Sequence, residues 1–496
     1  MLNKIKIKLL TFSVIIVFIA SVITCQAIYL NKKEALSKYN LSAVVDENCL
    51  NGKLLLDYVN NTGSDVNELY FCLYPNAFKE EENVYNVAVK DRIDEAYPNG
   101  FDSGFLIVKK VLVNNREAVF SLEENEQILK VSTHSITAND GATVYIEFYT
   151  ELPDSPMRFG FGESTYNFGN WYPVLCPTVN GEIIKNTYVA SGDPFCSEVA
   201  DYSVKITAPN DMRLAGSGQI IKKENADPLK ATWHIEGENI RDFAFVLSKN
   251  FKLKSKQIDG TIVYSYYIDN DRLGQLALDC AASALKVFNE KFGKYPYPTL
   301  SIVAADFYIG GMEYPNIVLI DKNLYMSVKE EALEEVVVHE VAHQWWYGIV
   351  GNDEIKEPWL DEGLTQFSVG VYYSEVYGRE RYKMFMQENE AYCKVIFKVL
   401  ENLNLKFNKS IERSSSSFEH WLLYDAITYD VTALMLDTLC KTIGEEAFYS
   451  SLQLYFEENK YKIATKKDFI SSFGKGTGKN ISSIIEPWLK GNIHWG

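Results

Sequence analysis

Residues 336–346 read Val-Val-Val-His-Glu-Val-Ala-His-Gln-Trp-Trp, a strongly apolar run that carries two histidines and one glutamate. The apolar positions fall on nearly all sides of a helix, so the pattern predicts a buried helix. His339 and His343 are four residues apart and project from one face, where both imidazoles can bind a single zinc ion. Glu340 is a carboxylate directly beside them. This stretch therefore predicts a metal site within a helical part of the chain.

The ends of this helix are predicted from local signals. Ser327 and Glu330 have the spacing of a capping box, and the acidic residues from Glu330 onward favour the positive end of the helix dipole. The helix can continue through both tryptophans and end before Gly351, because glycine is common just past a helix end.

A catalytic zinc ion takes three protein ligands and keeps one position open, so a third donor is expected elsewhere in the chain. Eighteen residues separate His343 from Glu362, which lies in Trp-Leu-Asp-Glu-Gly behind Pro358. This interval suits a second helix that returns to face the first. Asp361 and Glu357 are the alternatives, although such acids are more often solvated charges. The competing interpretation of the histidines is a hydrogen-bonded pair in the core.

The two histidines, the eighteen-residue interval and Glu362 resemble the metal-binding sequence of the aminopeptidase N family of zinc metallopeptidases, a branch of the gluzincins. Glu340 then corresponds to the general base of that family. The resemblance covers nearly everything after the N-terminal segment. It implies a short, bacterial-type member that lacks the family's large C-terminal helical domain, since only 134 residues follow Glu362.

A second stretch is similar to the family's Gly-x-Met-Glu-Asn motif, whose backbone holds the substrate strand and whose glutamate binds the free α-amine. The substrate-binding residues that the resemblance implies are Gly310, Gly311, Met312 and Glu313. Tyr314 stands where the family has the final Asn. The family supplies a second amine-binding residue from its β domain, for which Glu163 is our candidate.

A third element lies 67 residues beyond Glu362, where the family has its catalytic tyrosine. Tyr429-Asp-Val-Thr-Ala resembles the family's Tyr-Glu-Lys-Gly-Ala, although the Lys and the Gly are missing. The resemblance implies that the Tyr429 hydroxyl stabilises the oxyanion of the reaction. Tyr424 is the competing candidate.

The domain organisation follows from a change in periodicity along the chain. Between residues 41 and 247, short apolar or alternating segments are separated by Asn, Gly and Asp turns, which predicts strands. The first long helical pattern begins at Asp271. We therefore predict a multidomain chain, with an all-β sandwich at residues 36–254 followed by a mostly α, thermolysin-like α+β peptidase domain at residues 255–496.

The N-terminus carries a targeting signal. Residues 9–31 are uncharged and apolar, and Lys4, Lys6 and Lys8 precede them. The stretch is long enough to cross a bilayer as one transmembrane helix, and the lysines favour a cytoplasmic N-terminus. We expect residues 1–35 to be a membrane anchor, or a segment cleaved or lipidated at Cys25, with the catalytic domain outside the cytoplasm.

Composition excludes several classes of protein. Of the 496 residues 47% are hydrophobic, which excludes disorder as the main state. The 49 basic residues are outnumbered by 66 acidic ones, so the net charge of −17 leaves no field that would attract nucleic acid. The 8 cysteines contain no CxxC pair, which argues against a cysteine zinc site.

These observations together predict a zinc-dependent aminopeptidase that holds one zinc ion per chain and acts on peptides with a free N-terminus. Two alternatives remain open at this point. One is an endopeptidase that uses the same zinc site, and the other is a binding or scaffold protein with a vestigial site.

Overall fold

The computed structural model describes residues 35–493, and from Ser37 onward the chain forms one compact unit. The predicted membrane anchor at residues 1–35 lies almost wholly outside the described residues. Among the helices within them, none combines the length and the apolar character that crossing a bilayer requires.

The first part of the chain is rich in strands, as predicted. Its strands are β1 (Lys38–Asp46), β2 (Cys49–Val59), β3 (Val66–Cys72), β4 (Phe105–Val113), β5 (Arg116–Glu117), β6 (Phe120–Glu123), β7 (Ile128–Ile136), β8 (Gly141–Glu151), β9 (Phe159–Phe161), β10 (Tyr166–Phe168), β11 (Val174–Leu175), β12 (Thr178–Val179), β13 (Glu182–Ile183), β14 (Ala200–Pro209), β15 (Arg213–Gly216), β16 (Gln219–Asn225), β17 (Lys230–Ile240) and β18 (Phe245–Ser248). Two single-turn helices lie between β3 and β4, namely α1 (Val84–Val87) and α2 (Ile93–Ala96).

These strands form one large sheet, two four-stranded sheets and the two-stranded sheet β12-β13. The large sheet has the order β16-β17-β14-β1-β2-β8-β4-β5, and the smaller sheets have the orders β15-β18-β10-β9 and β11-β3-β7-β6. In β2 the buried side chains alternate with exposed ones, which places Leu54 and Leu56 on the core face. Gly52 lies on the same face. Glycine fits at this position because the ring of Phe148 on β8 occupies the space that a Cβ would need.

A mixed, five-stranded sheet begins the part of the chain that follows. Its strands are β19 (Lys252–Ile258), β20 (Thr261–Tyr267), β21 (Thr299–Ala305), β22 (Gly311–Met312) and β23 (Ile317–Asp321). The order is β19-β20-β21-β23-β22, with β20, β21 and β23 parallel and β22 antiparallel at the edge. The sheet starts at Lys252, so the boundary that we place near residue 255 falls inside its first strand and stays a prediction.

The rest of the chain is mostly helical. The helices are α3 (Asp271–Lys291), α4 (Glu330–Ala342), α5 (Glu362–Tyr377), α6 (Arg379–Asn402), α7 (Trp421–Asp425), α8 (Thr432–Ile443), α9 (Glu445–Asn459), α10 (Lys466–Thr477) and α11 (Ser482–Leu489). A π-helical turn at Ala426–Val431 joins α7 to α8.

The predicted bounds of α4 are wrong at both ends. Ser327–Lys329 forms a separate 3₁₀ turn, so the first residue of α4 follows Lys329, which offers no side-chain cap. At the other end the helix stops at Ala342 rather than near Gly351. Tyr347 has a φ of 138°, in the left-handed region that an α-helix cannot pass through.

One buried cation joins the β-rich part to the part that begins at Lys252. Arg241 follows β17 and is 1% exposed. Its guanidinium donates to the carbonyl oxygen of Tyr347 at 2.9 Å and to that of Lys462 at 3.0 Å. A Cβ at Gly351 would collide with the same guanidinium. The loop that follows α4 is thereby held against the β-rich part.

Candidate active site

Two facing helices bring together the three predicted metal ligands. His339 and His343 lie at the C-terminal end of α4, and Glu362 is the first residue of α5. The two Nε2 atoms are 3.2 Å apart, and they lie 3.3 and 3.1 Å from Oε2 of Glu362. His343 and Glu362 are buried, whereas His339 is partly buried, with 14% of its side chain exposed.

In both histidines the contacts of Nδ1 leave the Nε2 atom unprotonated, so that it can only accept. Nδ1 of His339 lies 3.3 Å from Oε1 of Gln366, and Nδ1 of His343 lies 3.1 Å from the carbonyl oxygen of Trp346. A carbonyl oxygen can only accept, so the ring proton belongs on Nδ1 in each histidine. Two bare nitrogens and a carboxylate oxygen then face one another, an arrangement that needs a cation between them.

The donor set fits zinc in particular. In a tetrahedral zinc site with ligand distances of about 2.0–2.1 Å, neighbouring donor atoms are roughly 3.3–3.4 Å apart. The three separations here are 3.1, 3.2 and 3.3 Å. Imidazole nitrogen and carboxylate oxygen are also ligands that zinc prefers. Burial opposes ionisation of Glu362, but its close contacts with the imidazoles of His343 and His339 hold its pKa below the usual value.

Glu340 projects from α4 next to the metal ligands. It is 5% exposed, and its Oε2 has no hydrogen-bond partner among the described residues. Burial raises the pKa of Glu340 well above its usual value, and the nearby carboxylate of Glu313 raises it further. A buried carboxylate with a raised pKa and a free oxygen is suited to accept a proton from a water molecule.

Gly311 on the edge strand β22 packs directly against Glu340. A Cβ built at Gly311 would lie 2.2 Å from Oε1 of Glu340, which is far inside van der Waals contact. Gly311 therefore permits the sheet edge and the carboxylate to approach each other.

We predict that Gly311→Ala lowers kcat/KM at least tenfold without loss of the metal. The added methyl displaces the Glu340 carboxylate by its collision with Oε1, whereas the metal ligands are not touched. Steady-state kinetics and metal analysis of the purified variant would check this. Gly310→Ala is a useful companion, because it strains a backbone with a φ of 86° and meets no atom within 4 Å. Equal activity of Gly311→Ala and wild type would contradict the assignment.

The remaining residues of the glycine-rich motif hold it in place. Glu313 is 4% exposed and its Oε1 has no partner among the described residues, and burial raises the pKa of this group to about 7. Tyr314 donates to Oδ1 of Asn170 at 2.8 Å, and Asn170 in turn donates to Asp242 at 2.5 Å. Met312 is fully buried on β22. The tyrosine that departs from the family motif thus anchors the motif to the β-rich part.

Our candidate for a second amine-binding residue, Glu163, is wrong. Its side chain is 94% exposed beside Lys322, and it does not line the cavity that contains the metal ligands. Asp193 lines that cavity instead and forms a partly buried ion pair with Arg158. The sequence analysis assigned no role to Asp193, which the chain brings to the site from more than a hundred residues before the metal ligands.

Tyr429 lies on the π-helical turn, where its hydroxyl donates to Oε1 of Glu362 at 2.5 Å. Its ring stacks 5.7 Å from that of His339. The hydroxyl of Tyr424 lies against Gly192, and its ring lies 6.0 Å from that of Tyr429. The structure therefore places Tyr429 at the metal site and Tyr424 on a neighbouring wall of the cavity. Glu357, an alternative candidate for the third metal ligand, lies elsewhere and accepts a hydrogen bond from the backbone amide of Lys466.

The cavity that contains these residues has a volume of about 670 Å³ and a strongly acidic lining. Two arginines line it, Arg92 and Arg158. Its carboxylates are Asp193, Glu313, Glu335, Glu340, Glu362, Glu388, Asp425 and Asp430.

Several supporting residues escaped the sequence analysis. Gln366 contacts His339 and also donates to Asp430 at 3.1 Å. Gln344 donates to the carbonyl oxygens of Glu313 and Tyr314 at 3.3 and 3.2 Å. Gln366 could have been found, because it lies four residues after Glu362 on the same face of a helix.

Comparison with known proteins agrees with this geometry. Residues 276–488 match the peptidase family M1 domain. The chain is 27% identical over 315 residues to aminopeptidase 2, mitochondrial, of Saccharomyces cerevisiae, which covers 60% of this chain and 30% of that protein. It is 23% identical over 389 residues to the glutamyl aminopeptidase of Rattus norvegicus, with 74% and 40% covered. The chain thus spans less than half the length of these relatives.

Solved structures show the same fold over a larger share of the chain. The M1 zinc metallopeptidase from Deinococcus radiodurans superposes with a TM-score of 0.65 at 13% identity, covering 93% of this chain and 95% of that one. A variant of that enzyme bound to a Tyr-Ser-Ala substrate gives a TM-score of 0.63. At this identity the likeness shows the fold.

Proposed function

We propose that this chain, whose residues 276–488 match the peptidase family M1 domain, is a zinc-dependent aminopeptidase that hydrolyses the N-terminal peptide bond of peptides. The observation that carries the proposal is the convergence of Nε2 of His339, Nε2 of His343 and Oε2 of Glu362 in a cavity that also holds Glu313.

His339, His343 and Glu362 would hold the ion, which when bound polarises the scissile carbonyl and makes water more acidic. Glu340 accepts a proton from the attacking water and passes it to the leaving amine. Its raised pKa suits both steps, since the same group must take up and then release the proton.

Glu313 selects the bond that is cleaved. A charge-assisted contact between its carboxylate and the substrate's α-ammonium holds the first peptide bond, and no deeper one, at the metal ligands. Tyr429 donates its hydroxyl proton toward the oxyanion that forms from the carbonyl.

We predict that Tyr429→Phe lowers kcat by about a hundred- to thousand-fold, the usual cost of losing one oxyanion donor, while KM changes little. Phe retains the ring that stacks on His339 and removes only the hydroxyl. Steady-state kinetics would measure both constants. Tyr424→Phe is the matched control, and a comparable loss in that variant with none in Tyr429→Phe would reverse the assignment.

The function is tested by digestion of one peptide in two forms, with a free and with an acetylated N-terminus, alongside measurement of bound zinc. We expect release of the N-terminal residue from the free peptide only, loss of activity with a chelator and its return with zinc. Equal cleavage of both forms would instead indicate an endopeptidase, and zinc-free inactive protein would indicate a binding or scaffold role.

The cellular setting of this activity is part of the proposal. The apolar stretch at residues 9–31 and the lysines before it support a single-pass membrane anchor with the catalytic domain outside the cytoplasm. A β-sandwich arrangement of the N-terminal sheets and a thermolysin-like catalytic domain belong to the same proposal. Fractionation of cells that express the full chain, with protease accessibility, would test the anchor and its orientation.

A further inference from the structure

Two buried cysteines of the β-rich part lie in contact with each other, and the proposed function gives neither of them a role. We infer that Cys72 and Cys176 form a disulfide bond when the chain folds in the presence of a disulfide donor, so that β3 and β11 become covalently linked. The inference concerns the β-rich part and does not depend on the proposed peptidase activity.

The strand register brings the two side chains together. β11 pairs antiparallel with β3, and Val174 lies opposite Cys72. Cys176 follows Val174 by two residues, so its side chain lies on the same face of the strand pair as that of Cys72. The amide of Cys176 donates to the carbonyl oxygen of Tyr70 at 2.8 Å, which continues the pairing past the end of β11. The two cysteines are therefore diagonal neighbours on one face.

The sulfur atoms are close enough to be joined. Sγ of Cys72 lies 3.4 Å from Sγ of Cys176. A disulfide bond holds its sulfurs about 2.0 Å apart, so the two must approach by roughly 1.4 Å, a movement on the scale of a side-chain rotation. Cys72 is 3% exposed and Cys176 is 7% exposed, so each thiol has the other as its nearest partner for oxidation.

The reaction balances as thiol–disulfide exchange. One cysteine thiolate attacks a sulfur of the donor, which forms a mixed disulfide and releases one donor thiolate. The second cysteine thiolate attacks the first cysteine's sulfur in that mixed disulfide, which forms the new bond and releases the other donor thiolate. The two cysteine protons pass to the released thiolates, and two electrons reduce the donor to two thiols. Disulfide donors are present in the exported setting proposed above.

Burial determines when the bond forms. The hydrogen bond with Cys72 and burial raise the pKa of the Cys176 thiol well above its usual value, so Cys176 stays protonated in the folded chain. Because the thiolate is the reacting form, exchange is slow once the strands are packed. The bond therefore forms while β3 and β11 are assembling, and burial afterwards protects it from reductants.

The bond would fasten a segment that leads to the cavity. The chain runs from Cys176 through β12 and β13 to Asp193, which lines the cavity. On the way, the carbonyl oxygen of Asn186 lies 3.6 Å from Sγ of Cys72, and its side-chain amide donates to Asp353 at 2.9 Å. A link between positions 104 residues apart restricts the unfolded chain, so the linked protein should be more stable.

The experiment follows the full chain as it folds. The chain is synthesised in a cell-free reaction with lipid nanodiscs and zinc, either with mixed reduced and oxidised glutathione or with reduced glutathione alone. Free thiols are then alkylated in denaturant, and mass spectrometry of the digest identifies linked peptides. We expect a Cys72–Cys176 link in most chains from the oxidised mixture and in none from the reduced one. The linked protein should have a thermal midpoint about 2–5 °C higher.

The controls separate this pair from other cysteines. Cys72→Ala and Cys176→Ala should each lose both the link and the difference in thermal midpoint, whereas Cys196→Ala, at a third buried cysteine, should keep both. Alkylated Cys72 and Cys176 in the oxidised sample would overturn the inference, as would a link from either residue to Cys196 or to glutathione. A linked chain that melts below the reduced one would also overturn it, because the bond would then strain the strands. None of these measurements uses peptide hydrolysis, so they stand apart from the test of the proposed function.

Discussion

Glu340→Gln is expected to lower kcat at least a hundredfold while the fold and the bound zinc are retained. Glutamine has nearly the same size and keeps one acceptor oxygen, but it cannot take the proton of the attacking water or return it to the leaving amine. The effect should be large because the side chain lies buried against Gly311 and next to the metal ligand His343. Stopped assays of peptide hydrolysis with zinc analysis of the same preparation would measure it.

The control for Glu340→Gln is Glu340→Asp. Aspartate keeps the carboxylate but withdraws it by one methylene, so it should retain part of the activity that glutamine loses. Activity of Glu340→Gln within about tenfold of wild type would contradict the role of general base.

Substitution of any metal ligand is expected to abolish both zinc retention and hydrolysis. His339→Ala, His343→Ala or Glu362→Ala leaves two donors where the three now stand within 3.3 Å of one another. Because zinc binding also contributes to the stability of the holoprotein, each variant should have a lower thermal midpoint than the zinc-loaded wild type. Zinc content per chain and calorimetry would measure both effects.

Glu357→Gln serves as the control for the ligand variants, since Glu357 is a nearby acid whose carboxylate caps the amide of Lys466 rather than facing the metal site. It should retain a full equivalent of zinc. Full zinc occupancy in one of the three ligand variants would remove that residue from the set.

The sequence predicted much of the fold because the signals involved are local. The alternation in β2 and the three-to-four spacing in α3 each depend on residues within a few positions, and both elements form where they are expected. The two histidine ligands could also be predicted from the sequence, because residues four apart on a helix lie on the same face. The capping box at Ser327 did not form, since Ser327 begins a 3₁₀ turn that ends at Lys329 and the α-helix starts only at Glu330.

The approach of Asp193 to Glu313 could not be predicted in the same way. Glu313 lies in the predicted motif, but Asp193 comes from a distant part of the chain, and its approach depends on how the β-rich part packs on the part that begins at Lys252. The same holds for Arg241, whose partners Tyr347 and Lys462 are 106 and 221 residues away. The π-helical turn that carries Tyr429 has no compositional signature of its own, so only its position in the family pattern pointed to it.

The acidic lining of the cavity also affects how fast substrates arrive. Eight carboxylates face two arginines there, so an excess of negative charge remains even when a divalent ion is counted. A cleft with walls of one sign focuses the field and draws in ligands of the opposite sign, and a net charge of −17 extends this attraction outward. Salt shortens its reach to about 8 Å at physiological ionic strength. The rate at which cationic N-termini reach the cavity therefore depends on the ionic strength of the medium. The buried contacts that hold the substrate afterwards are largely shielded from these ions.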